Sequence, residues 1–120
     1  MHETEDEKQS YKLEQQADTL IIDVLRNLAE ATDKRCLAHG RTRYLDKQLL
    51  KKCVHLTMIY DNAPTMDQFC KNTGLAFSTL SRILNDNSEY TANRANVEKI
   101  INYMYKVADD YETKVNEDNK

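Results

Sequence analysis

The stretch Thr65 to Asn87, TMDQFCKNTGLAFSTLSRILNDN, constrains the fold more than any other part of the chain. Thr65 and Gln68 have the T-x-x-Q spacing of a capping box, which opens a helix by satisfying free backbone N–H groups at both positions. Met66, Phe69 and Cys70 supply that helix with an apolar face. Gly74 ends it, because glycine tolerates the left-handed backbone of a helix C-terminus. Leu75 plugs the turn. A second helix comes next, with Leu80, Ile83 and Leu84 on one face at spacings of 3 and 4. Its other face shows Phe77, Ser78, Ser81, Arg82 and Asn85. Two short helices around a glycine turn, the second with a polar face held outward, make a helix-turn-helix.

The run G-L-A-F-S-T-L-S-R-I-L-N-D, Gly74 to Asp86, resembles the recognition segment of lambda-repressor-like domains. It is most similar to the lac-repressor-type headpiece, whose pattern is roughly G-V-S-x-x-T-V-S-R-V-L-N. The resemblance runs without a gap from Thr65 to about Thr91 and loosely to about Met104, roughly a third of the chain. Two departures stand out. Ala76 occupies the position where the family has a Ser or Thr cap, and losing a cap costs about 1 kcal/mol. Nothing downstream looks like the family's hinge or sugar-binding domain, so a small-molecule effector is not implied.

A net charge of −3 looks wrong for a partner of DNA, but its distribution does not. Met1 to Asp33 carries nine acids against three Lys or Arg, and Asp109 to Lys120 carries five against two. Between them, Lys34 to Ala108 holds twelve Lys or Arg against six acids, a net of +6. A basic middle between acidic ends suits phosphate contact by the middle alone; the bland alternative is that these cations solvate helix faces. At 120 residues the chain makes one domain with an appended element. Two Gly and one Pro argue against turn-rich sandwiches and barrels. No apolar run approaches 18 residues, so no membrane span is expected. The polar, acidic N-terminus does not read as a signal peptide. Cys36, Cys53 and Cys70, odd in number and far apart, read as reduced thiols of a cytoplasmic protein.

Taken in order, residues 1–10 read as a disordered acidic arm, with Ser10 able to cap the helix after it. Residues 11–32 read as a helix with a seam of Leu13, Ala17, Leu20, Ile21, Val24, Leu28 and Ala31, and with Ile22 and Leu25 on its shoulder. The seam is close to a coiled-coil repeat. Such a face either packs on its own domain or joins two copies. Asp33 to Thr42 breaks the pattern; Cys36 and His39 have metal-like spacing but no second pair of ligands nearby. Residues 43–108 form the helix-turn-helix domain. It has a helix from Arg43 to Tyr60 before the motif, with Cys53 as core filling, and a last helix capped by Thr91 or Asn93. Val97, Ile100, Ile101, Met104 and Val107 give that helix one apolar face. Residues 109–120 form an acidic tail expected to fray.

No nucleophile elbow, phosphate-binding glycine loop or paired-carboxylate motif is present. His2, His39 and His55 are scattered, and His55 reads as structural. Neither catalysis nor a cofactor or metal is expected. The expectation is an all-α protein of about five or six helices, with a lambda-repressor-like core and an added N-terminal helix. Its function would be sequence-specific binding of double-stranded DNA as a homodimer that regulates transcription, as a repressor. The resemblance implies contacts from Thr65, Phe77, Ser78, Thr79, Ser81, Arg82 and Asn85. A small interaction protein that meets a protein partner instead is the alternative.

Overall fold

A computed structural model describes residues 4–37, 47–62, 65–85 and 93–118. These residues form an all-helical protein with no strand among them. In order they are α1 (Glu5–Thr32), a π-helical turn (Asp33–Leu37), α2 (Lys47–Tyr60), α3 (Met66–Thr73), α4 (Phe77–Leu84) and α5 (Arg94–Asp118).

α1 starts earlier than its apolar seam suggests, so residues 5–10 are helix and not a disordered arm. The cause is local. The hydroxyl of Thr4 accepts the Glu7 amide at 3.1 Å. Glu5, Asp6 and Glu7 then place three negative charges on the positive end of the helix dipole. Ser10, read as the cap, lies inside the helix.

The tail is corrected too: 109–118 continue α5 and do not fray into a separate segment. α1 with its π turn runs antiparallel to α5, and four contacts fix the register. Arg94 donates to the Leu37 carbonyl at 3.2 Å, Arg26 to Asp109 and Glu112, and Tyr111 to Asp18 at 2.7 Å. Asn93 caps α5 by accepting the Asn96 amide at 2.8 Å; Thr91 lies outside the described residues.

The core lies where α1, α2 and α5 meet α3 and α4. Its fully buried side chains include Leu25, Leu50, Val54, Phe69, Leu80, Ile83, Ile100 and Met104. Cys53 is buried in it, as core filling, and burial pushes its thiol pKa up. The α1 face turned inward is Ile22 and Leu25, the shoulder of the expected seam, together with Ala29 and Thr32. Leu13, Leu20 and Val24 of that seam stay 53%, 63% and 43% exposed. Two threonines sit in the apolar interior because each hydroxyl has an acceptor: Thr32 donates to the Leu28 carbonyl at 2.7 Å, Thr57 to the Cys53 carbonyl at 2.6 Å. Thr32 also lies 3.3 Å from the Cys53 sulfur. Just beyond Thr32 the helix loosens into the π turn, which brings Cys36 and Leu37 into the core. Tyr44, Leu45, His39 and the expected start of α2 at Arg43 fall outside the described residues. His55, read as structural, lies on the exposed side of α2.

Candidate nucleic-acid interface

α3 and α4 are each eight residues long and are joined by Gly74, Leu75 and Ala76. Gly74 has φ +82°, the left-handed region, and its amide donates to the Cys70 carbonyl at 2.8 Å. A side chain is disfavoured there by backbone conformation alone, since a Cβ would meet nothing within 4 Å. Leu75 is buried and ties the turn to the core. The capping box at the start of α3 is half made. Thr65 accepts the Gln68 amide at 3.1 Å, while the Gln68 side chain donates to Asn72 at 2.8 Å. Ala76 offers α4 no side-chain acceptor.

A polar relay fixes α3 against its neighbours. Gln68 donates to Asn72, and Asn72 to the carboxylate of Asp61 at the end of α2 at 3.3 Å. Tyr103 of α5 donates to the same carboxylate oxygen. Burial holds the Asp61 pKa above the ordinary aspartate value, against the opposing pull of the Asn72 amide. Beneath the relay the Phe69 and Tyr103 rings meet edge to face with centroids 5.8 Å apart. The carbonyls of the motif meet cations. Lys99 donates to the Gly74 carbonyl at 3.2 Å, and Lys47 donates to the Asn85 carbonyl at the end of α4. The α3–α4 unit is thus held from α2 and α5 together.

With Leu80 and Ile83 inward, the 3.6-residue period puts Ser78, Ser81, Arg82 and Asn85 on one outward arc. Ser78, Arg82 and Asn85 are exposed there; Ser81 is half-buried. Thr79 lies on the flank of α4 and is half-buried. Phe77, in the first turn, is 51% exposed. Thr65 is exposed at the start of α3, with its hydroxyl already engaged in capping. All seven residues therefore belong to the α3–α4 unit, five of them exposed and two half-buried. Sequence reasoning did not single out Lys47 or Lys99. Their cationic heads reach the motif from helices 38 and 25 residues away in sequence, so no local pattern announces them.

The charge pattern has a spatial counterpart. Glu5, Asp6, Glu7, Glu14, Glu117 and Asp118 lie at the end where α1 begins and α5 finishes. Lys47, Arg82, Arg94 and Lys99 lie towards the other end, where α5 begins, of a molecule 57 Å long and 24–30 Å across. No helix among the described residues is long and apolar enough to cross a membrane. Cys36, Cys53 and Cys70 are free thiols. No family model, no curated protein and no solved structure matches the chain.

Proposed function

We propose that this protein binds double-stranded DNA through α4 and regulates transcription, acting as a repressor in the cytoplasm of its cell. The observation that carries the reading is the mounting of α4. It is anchored from below by Leu80 and Ile83, held by Lys47 on the Asn85 carbonyl at its end and by Lys99 on the Gly74 carbonyl of the turn before it, and turned so that Ser78, Arg82 and Asn85 face solvent. A helix of this width enters the major groove, and residues near its N-terminal end reach base edges. Phe77 offers apolar contact suited to a thymine methyl, and Ser78 a short hydrogen-bonding group. Arg82 supplies a planar fork for guanine or for a phosphate. Thr65, Thr79, Ser81 and Asn85 would fix the flanking phosphates or a base edge. The uncapped first turn of α4 adds backbone N–H donors on the same side, a setting that favours anions.

The experiment is anisotropy titration of labelled duplex DNA at rising salt, followed by selection of bound sequences from a random duplex pool. Affinity should fall steeply with salt, because each neutralised phosphate releases counterions. Arg82→Ala should weaken binding to the selected sequence by about 1–3 kcal/mol while leaving the fold intact. Unchanged affinity in the folded variant would remove Arg82 from the interface. A second reading rests on Phe77: a large apolar side chain at an exposed helix start also suits a protein partner. Salt-independent behaviour, with no retention on duplex DNA, would favour that reading.

A further inference from the structure

The geometry points to α1 as the seam of an antiparallel homodimer, crossing its partner close to Leu20. This inference holds whether or not α4 meets DNA. The seam rests on the stretch of α1 that is exposed among the described residues. Residues 5–17 are exposed, and past them Leu20 and Val24 remain open although Ile22 and Leu25 beside them are buried. Leu13, Ala17, Leu20 and Val24 follow steps of 4, 3 and 4, the spacing of a two-helix seam. At 1.5 Å per residue the run from Leu13 to Val24 is about 17 Å long, and half-buried Leu28 and Ala31 extend it. A continuous exposed apolar stripe of this kind marks an interaction surface.

Charge selects the occupant and its direction. Seven residues before Leu13, on the same face, stands Asp6; four residues after Ala31, past the π turn, stands Arg35. Both are exposed. The midpoint between them falls between Leu20 and Ile21. An antiparallel copy crossing there sets each Asp6 against the other copy's Arg35, with apolar residues opposite apolar ones between. The flank of the seam obeys the same rule. Lys12 and Glu30 are exposed on one side of the helix, almost symmetric about that midpoint, so each Lys12 meets the other copy's Glu30. Within one chain Glu30 pairs with Lys34 at 3.1 Å, which leaves the second carboxylate oxygen to share. A parallel pair sets Asp6 against Asp6 and Arg35 against Arg35. Opposed helix dipoles favour the antiparallel arrangement as well.

Sedimentation velocity on the full chain, over low to high micromolar concentration, tests the seam. The wild type should be dimeric. Leu20→Glu should be monomeric with unchanged helical content and unfolding temperature, because Leu20 is mostly exposed in one chain. Val24→Glu provides a second variant on the same face. A wild type that stays monomeric at high micromolar concentration overturns the inference, and so does a dimer indifferent to both changes. Charge exchange tests direction. Asp6→Arg alone should weaken the dimer roughly three- to tenfold, given two exposed pairs per dimer. Adding Arg35→Asp should restore it. A double variant no tighter than Asp6→Arg rules out the antiparallel pairing.

Discussion

Arg26 of α1 holds Glu112 of α5 with both guanidinium nitrogens, Nη1 at 3.1 Å from Oε2 and Nη2 at 3.2 Å from Oε1. Nη2 also reaches Asp109 at 2.8 Å. The hydrogen bonds to Glu112 and then Asp109 raise the Arg26 pKa further above its already high value. The Arg26 side chain is 34% exposed and its partners more so, which keeps the contribution small. Arg26→Ala should lower stability by about 0.5–1 kcal/mol. Its local signature should be larger: faster amide exchange over 109–118, with the rest of α5 unchanged.

Leu80 lies fully buried beneath the α3–α4 turn. Leu80→Ala should lower the free energy of unfolding by about 2–5 kcal/mol. A denaturation midpoint within error of wild type would mean that α4 is rotated and that its outward arc carries other residues.

Ala76 precedes α4 with φ −69° and ψ 143°, the extended backbone of a capping residue, but has no oxygen to offer. Ala76→Ser should supply the missing acceptor and raise stability by about 1 kcal/mol. Thermal unfolding of the variant measures this directly, and a lowered midpoint would count against the α4 boundary.

Tyr111 donates to Asp18 at 2.7 Å and stands edge to face with Tyr60. Burial, followed by the hydrogen bond to Asp18, pushes its pKa up to about 12 from an ordinary value of 10. The folded state thus favours the neutral phenol. The stability it contributes is complete below pH 10 and is lost as pH rises from 10 towards about 12. Tyr111→Phe should be less stable than wild type near neutrality, and the gap should close across that alkaline interval. Ultraviolet titration should show one tyrosine ionising later than the exposed ones.

Local signals were legible in the chain and distant pairings were not. Phe69, Leu80 and Ile83 announced themselves by helical spacing, and Gly74 by the turn it closes; all are where that spacing puts them. The start of α1 was legible as well, since Thr4 and Glu7 carry a capping signal, but the acidic composition around them read as disorder. The order of 109–118 had no local sign, because Arg26 lies 83 residues from Asp109. The face of α1 turned inward was ambiguous. Two apolar stripes share that helix at helical spacing, and the choice between them is made by packing on α2 and α5, far off in sequence. For the α3–α4 unit, the outward residues followed from periodicity, whereas the lysines bracing it required the packing of α2 and α5.

The separation of charge along the 57 Å axis makes a single copy an electrical lever, which an antiparallel pair largely cancels. Near any polyanion its acidic end is pushed away while its basic half is drawn in, so the field exerts a torque before contact. Screening at physiological salt confines that torque to about the last 8–10 Å of approach. Within that distance a single copy turns its basic half towards the polyanion and the start of α1 away from it. On the proposed DNA reading, neutralising Glu5 and Glu7 shortens the lever and should slow encounters with duplex DNA more than it weakens the bound state.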